Sequence, residues 1–447
     1  MKIRSLLLGS AAIAAVAGLS TAGYAADLGV VTSLDVCDEL GLSGLTISSD
    51  DNCLQITGDV KFEYDWGNYT PGRIYGSFVN TNNGNTYTVF APGIHPAQSN
   101  GGDVDAWLKF VGTASSDFGP ASATIKLVTN NSTGSKDWSV GIDEAWVGIG
   151  DTTRLMAGYK SSIFNAGDDV PLNYLGLFNS DSVNKGVGFR TSGAATGGDV
   201  IQVVSNLGNG LQVGGGLENL GGSGTQFGEM TGVGVISYAG DNITAHVSAA
   251  YGPSSTKPAG YVDNSNYSGL GWKVHAGFTG SWDPISVVGA ISADDTGYWD
   301  ALGSVAAKFD MFTLAASGEA PSAGEWGVGG SASAKVSDGV TLNLGGRYFH
   351  GVEDGTNSHA VPGPSSYNVY QVEAALSAAV TESVTLTGAV GVTDSDIVGV
   401  AGGTPMAFYG KGGVAWAPGG GFTSGANVTV TSLGGYKAVF TAEKSIK

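Results

Sequence analysis

The chain has 447 residues, of which 13% are charged and 42% apolar, and a formal net charge of −19. That balance excludes a nucleic-acid binder, which needs Lys and Arg clustered against phosphate. Beyond residue 25 no apolar run reaches the roughly 18 residues that a helical membrane span requires, so helical spans are excluded as well.

Residues 1–25 read as a secretory signal peptide. Lys2 and Arg4 form a basic start, 6–19 is a small apolar run, and Gly23-Tyr24-Ala25 places small residues where a signal peptidase cuts, after Ala25. The apolar run is too short for an anchor. Removing it leaves 18 basic against 39 acidic residues, a formal charge of −21. A charge of that sign favours a vestibule that attracts cations.

Residues 26–53 lack strong alternation and read as a lead-in. They hold the two cysteines of the chain, Cys37 and Cys53. Export delivers them to an oxidising compartment, so a disulfide is expected. Zinc would need more ligands than two. Closing so short a loop contributes about 3 kcal/mol by the chain-entropy estimate.

From residue 54 onward the pattern is two-sided. Leu54, Ile56, Gly58, Val60, Phe62, Tyr64 and Trp66 fall on one face, and Gln55, Thr57, Asp59, Lys61, Glu63 and Asp65 on the other. A strand sends successive side chains to opposite sides. A loop over 67–102 follows, then 104–111 with Asp105, Trp107 and Lys109 on the polar face. Segments 121–128, 144–149 and 153–159 continue it, with Lys126 and Arg154 on the polar side. After an interruption the alternation resumes at 199 and runs to 446. Five tight turns, at 239–242, 282–284, 309–311, 337–339 and 381–383, alternate with longer connections at 252–270, 293–300, 350–366 and 393–406.

Exported, two-sided strands with short turns on one rim and long loops on the other predict an all-β fold: a transmembrane antiparallel β-barrel over 54–447, in a Gram-negative outer membrane, with short periplasmic turns. The tally is 20 segments, and the expected number is even, within 16 to 20. A barrel of that size leaves an aqueous channel. The 74 glycines suit turns and crowded bends. Trp66, Tyr159, Tyr238, Tyr251, Trp272, Trp282, Phe309, Tyr348, Tyr370 and Trp416 sit near strand ends, as interfacial girdles do.

An enzyme would need a nucleophile beside a base. His246 and His275 share the polar face on neighbouring strands, yet no Ser motif accompanies them, and G-x-S-x-G and H-E-x-x-H are absent from the chain. The expectation is a non-enzyme without cofactor. Asp294, Asp295 and Asp300, and Asp394 with Asp396, carry the oxygen chemistry of a structural Ca²⁺ site without EF-hand spacing, and read as solvated loops.

The opening Met1-Lys2-Ile3-Arg4-Ser5-Leu6-Leu7-Leu8-Gly9-Ser10, the Ala25-Ala26-Asp27 junction, Val36-Cys37-Asp38 and Asn52-Cys53-Leu54 together resemble the porins of Alphaproteobacteria, the Brucella and rhizobial type. The resemblance implies a homotrimer in lipid and lipopolysaccharide that passes small hydrophilic solutes and ions by passive diffusion. It also implies a loop after the fifth strand, here 160–185, folded into the lumen. The acids of that loop, Asp168, Asp169 and Asp181, would then face wall cations Lys61, Lys109, Lys126, Arg154 and Arg347 across the pore and lend it a cation preference. Two departures stand out. The segment count exceeds the family's usual sixteen, and the chain ends Ser445-Ile446-Lys447, with Phe440 the last aromatic. The alternatives are a solute-specific channel, for which Trp107 and Phe349 are the inward aromatics, or a barrel enzyme.

Overall fold

The computed structural model describes residues 35–69, 94–130, 139–165, 167–173, 187, 194–220, 230–254, 269–322, 324, 326–352, 366–395, 406–432 and 434–446. The signal peptide and Asp181 lie outside the described residues. One short helix, α1 (Asp35–Glu39), precedes the strands β1 (Leu45–Ser48), β2 (Asn52–Tyr69), β3 (Ile94–Ala114), β4 (Ala121–Asn130), β5 (Ser139–Ile149), β6 (Thr153–Lys160) and β7 (Gly198–Gly208). Then come β8 (Leu211–Glu218), β9 (Thr231–Ala239), β10 (Ile243–Ser254), β11 (Gly269–Trp282), β12 (Ile285–Asp294), β13 (Trp299–Lys308) and β14 (Phe312–Pro321). The last are β15 (Trp326–Ser337), β16 (Val340–Val352), β17 (Ser366–Ala379), β18 (Val384–Ser395), β19 (Ala407–Gly419), β20 (Phe422–Thr431) and β21 (Tyr436–Ile446).

From β2 onward each strand pairs antiparallel with the next, and β21 returns to β2, from Gly58↔Ile446 to Gly67↔Lys437. The result is a closed 20-stranded barrel. Closure pairs each of the barrel strands β2 to β21 on both sides, so none of these is an edge strand. Below the end of β21 the edge of β2 would be open. There β1 takes over, pairing Leu45↔Ile56 to Ser48↔Cys53. The Cys37–Cys53 disulfide fastens α1 to the start of β2, and both cysteines are buried.

The alternation of β2 becomes two surfaces. Phe62, Tyr64 and Trp66 are exposed on the outside at 38%, 40% and 42%, while Lys61, Glu63 and Asp65 between them are less exposed on the inner side. On β10 the contrast is sharper. Val247 and Tyr251 are more than half exposed, whereas His246 and Ser248 are buried. Apolar residues outside and polar residues inside invert the order of a water-soluble barrel. The proposed girdle residues are all outward: Trp66, Tyr159, Tyr251, Trp272, Tyr348 and Tyr370 at one rim, Tyr238, Trp282, Phe309 and Trp416 at the other. Ring pairs such as Trp326–Tyr348 and Tyr348–Tyr370, with centroids 4.9 and 5.1 Å apart, link neighbours in the first rim.

The five tight turns read from the sequence all lie on the Trp282 rim, and the loop that separates β6 from β7 lies on the other. Several boundaries differ from the sequence reading. Strand β2 runs to Tyr69 and β3 starts at Ile94, inside the stretch read as a loop over 67–102. The backbone there pairs across Gly67↔Ser99 and Tyr69↔Ile94 although the sequence does not alternate. The connection read as 293–300 is a four-residue turn between Asp294 and Trp299, closed by the Asp294 N–H to the Tyr298 carbonyl at 3.0 Å.

A candidate pore constriction

The described residues of the connection from β6 to β7, namely 161–165, 167–173, 187 and 194–197, are tied to the inner wall of the barrel. The anchors come from inward positions of strands far away in sequence. Glu218 at the end of β8 is fully buried. It accepts from the Ile163 N–H at 3.0 Å, the Gly197 N–H at 2.7 Å and the Gln202 side-chain amide at 2.8 Å. One carboxylate therefore holds both feet of the loop. Farther along, the Asn165 N–H donates to Ser248 Oγ on β10 at 2.9 Å, and the Leu172 N–H to Ser304 Oγ on β13 at 2.8 Å. Leu172 also packs on buried Val288, Ala290 and Leu302, joined by Val187 of the loop. Ile163 and Phe164 pack against Val233, Ala250 and Ala194. The loop thus crosses the lumen side of β8 to β13, which is why inward residues there are buried while their outward neighbours are not.

Asp168 and Asp169 lie on this path between the Asn165 and Leu172 anchors. Asp168 adopts φ +56°, a left-handed backbone that Asp tolerates better than most residues. Its carboxylate accepts from His246 Nδ1 at 3.1 Å and from the Thr244 hydroxyl. The His246 N–H, with the Thr244 and Thr279 hydroxyls, outweighs burial and holds the Asp168 carboxyl below the usual carboxylate range. His246 Nε2 lies 2.9 Å from His275 Nδ1, the two rings parallel within 4°, and His275 Nε2 lies 3.8 Å from Asp169 Oδ2. Gly277 makes the approach possible: a Cβ there would come within 2.6 Å of both the Gly167 carbonyl and the His246 ring. Asp168 and Asp169 are therefore turned to the wall, and Asp169 is 8% exposed.

The five wall cations all occupy inward positions, but not one patch. Lys109, Lys126 and Arg154 converge on β3 to β6 with Lys160. Lys109 pairs with Glu144 at 3.2 Å and Lys126 with Asp143 at 2.6 Å. Lys126 lies over Trp107, and Arg154 and Lys160 over Trp146, at 5.3 to 5.5 Å from the ring centres. Stacking of this kind holds long side chains in place. Lys61 sits apart on β2, 3.1 Å from Glu63. Around it β2, β3 and β21 bring Asp59, Glu63, Asp105 and Glu443 to one face. Arg347 is buried on β16, between Gly329 and Gln371 in register, and Phe349 beside it is buried too. Among the described residues no group of three or more His, Cys, Asp or Glu is arranged to hold a metal ion. Both nitrogens of His246 are occupied by Asp168 and His275, which leaves none to activate a serine.

Sequence reasoning put His246 beside His275 from strand phase alone. It missed Glu218, Ser248 and Ser304 as loop anchors. No local signal marks them, because each acts on a segment 55 to 132 positions away.

No sequence family model matches the chain, and no curated protein matches it. Among solved structures the chain is similar in shape to the anion-selective porin from Comamonas acidovorans, at 10% identity over 88% of this chain and 100% of that chain, with a TM-score of 0.41. It is similar also to a Rhodopseudomonas blastica porin triple mutant, at 12% identity over 88% and 99%, TM-score 0.36. A third is a loop-deletion mutant of OmpT, an outer membrane protein of Vibrio cholerae, at 9% identity over 89% and 100%, TM-score 0.40. Likenesses this distant carry no argument about function. The barrel rests on its own ladders.

Proposed function

We propose that the protein is an outer-membrane porin, a water-filled channel for passive diffusion of small hydrophilic solutes and ions. The observation that carries this reading is the closed 20-stranded barrel, apolar outside and polar inside, with a loop fastened along one inner wall. An apolar band between two aromatic rims suits a bilayer. A ring of 20 strands is wider than side chains alone can fill. Nothing in such a device consumes energy or needs a cofactor.

The charge pattern supports a lean toward cations. Acids crowd β21, β2 and β3 around Lys61, and the cations of β3 to β6 are partly matched by Asp143 and Glu144. A solute would pass between these walls and the docked loop, and the field across that gap would sort it by charge. Assembly as a homotrimer in lipopolysaccharide belongs to the same reading, through the resemblance of the N-terminal motifs. Swelling of liposomes loaded with the protein tests it: small sugars enter at rates that fall smoothly with size, without saturation. Saturable entry of one sugar would favour a solute-specific channel instead.

A further inference from the structure

The wall cations of β3 to β6 are unevenly matched. Lys109 is held by Glu144 at 3.2 Å and Lys126 by Asp143 at 2.6 Å. Glu144 also accepts from the Trp146 indole N–H at 3.2 Å. That leaves Arg154 and Lys160, the first and last inward positions of β6. Among the described residues neither has a carboxylate within ion-pair distance. The Arg154 guanidinium spends a single N–H donor, on the Ser122 hydroxyl, and the Lys160 ammonium makes no hydrogen bond to a described residue. Both are nonetheless positioned. Arg154 Cζ stands 5.3 Å and Lys160 Nζ 5.5 Å from the centre of the same Trp146 ring, in range of the cation–π attraction that steadies long side chains. Two glycines make the seat. A Cβ on Gly158, where φ is +131°, would come within 2.4 Å of the Ala145 carbonyl and 2.7 Å of Trp146 Cα. One on Gly148 would press on Arg154 Nε at 3.0 Å and on the indole at 3.1 Å. Indole and guanidinium therefore rest against bare backbone.

Positioned cations with no anion of their own are complementary to negative charge carried on oxygen. We propose that Arg154 and Lys160, seated on Trp146, form a binding station on the lumen wall for doubly charged oxyanions, the class to which phosphate-bearing solutes belong. The inference rests on the channel reading above, since a solute reaches this wall through the lumen, and it names a solute class for that channel.

The two side chains supply different halves of the recognition. Arginine offers oxyanions a fixed fork of donors, and lysine adds a compact charge on a flexible stem. The acids that face Lys160 at longer range are Glu144 and Glu218. Glu144 is taken by Lys109 and Trp146, and Glu218 by the N–H groups of Ile163, Gly197 and Gln202. The loop anchors on Glu218, Ser248 and Ser304 belong to β8, β10 and β13, beyond β7 from this patch. A chloride ion meets the same cations with half the charge and without a second oxygen to share between them. The acids around Lys61 keep the lumen as a whole leaning toward cations, so the station acts by retaining dianions and not by making the pore anion-selective.

The test is single-channel current in potassium chloride with inorganic phosphate added at about pH 8, where phosphate is mostly a dianion. For the wild type the current falls as phosphate is added and the fall saturates, sulfate does the same, and extra chloride does not. Lys160→Gln, alone or with Arg154→Gln, raises the half-blocking phosphate concentration about tenfold or more, the loss expected for a hydrogen bond to a charged group. Should the double variant fail to fold, Lys160→Gln alone decides, because its ammonium holds no described partner. Lys411→Gln removes a lumen cation from β19, which pairs with Glu373, and leaves the block unchanged. A wild-type current without saturable block overturns the station, as does a block weakened equally by Lys160→Gln and Lys411→Gln. Either result leaves the porin reading standing. Calorimetric titration of the refolded protein in detergent with inorganic phosphate separates the two readings from the other side. Phosphate binding that Lys160→Gln removes, in a protein that carries no current, sinks the channel and keeps the station.

Discussion

Glu218→Gln is the sharpest perturbation of the docked loop. The carboxylate has two oxygens and three donors: Oε1 takes the Ile163 N–H and the Gln202 amide, and Oε2 takes the Gly197 N–H. An amide keeps one oxygen and turns an NH₂ toward the other position. With the oxygen toward Ile163, the Gly197 N–H meets a donor. A buried donor left without an acceptor costs about 1–3 kcal/mol, and here both feet of the loop depend on that one group. The docked state should therefore be depopulated by about 5- to 150-fold relative to the freed loop. Hydrogen exchange of the peptide spanning 163–172 reads this directly, because the Asn165 and Leu172 amides donate to Ser248 and Ser304 only while the loop is docked. Exchange there should accelerate within that range, with β15 to β20 unchanged. Unaltered exchange in 163–172 would refute the clasp, and acceleration throughout the barrel would show that Glu218 supports the wall instead.

Gly277→Ala should raise exchange in the same peptide without any change of charge, since its methyl group would collide with the Gly167 carbonyl. Val247→Arg, placing a charge in the middle of the outer face of β10, should cost about 2–4 kcal/mol in lipid, measured by denaturant titration in vesicles. At the rim, two outward positions along the same strand, Tyr251→Arg should cost less. Neutralising Glu63 and Asp105 together should lower the cation-to-anion permeability ratio, read from the reversal potential in a salt gradient. An unchanged ratio would place the selective charges elsewhere. Replacing Cys37 and Cys53 by serine should remove about 3 kcal/mol of chain-entropy stabilisation from the segment they close, seen as faster exchange of β1 while the barrel keeps its heat-modifiable mobility.

Much of the architecture was readable from residue order, for a physical reason. A strand with lipid on one side and water on the other must alternate, and β2 does so without a break from Leu54 to Trp66. The turn at 337–339 stands out because Asp338 and Gly339 interrupt the alternation, and the turn at 309–311 because Asp310 does. Where the backbone pairs without a two-sided environment, the signal vanishes. The first residues of β3, His95-Pro96-Ala97-Gln98-Ser99, do not alternate, and β1 is only four residues long. The constriction was legible in part. Strand phase brought His246 and His275 to one face, but their link to Asp168 and Asp169 is a fact of how the loop folds back. The direction of the two acids, toward the wall, depends on Thr244 and on Gly277 being small, and neither carries a motif.

A porin requires an open, charged passage through the middle of the barrel. Conductance of the refolded protein in a planar bilayer tests it most directly. Stepwise insertion should give large, voltage-insensitive steps that scale with bulk salt conductivity, and a reversal potential of cation-preferring sign. A folded, heat-modifiable barrel that inserts and carries no current would contradict it.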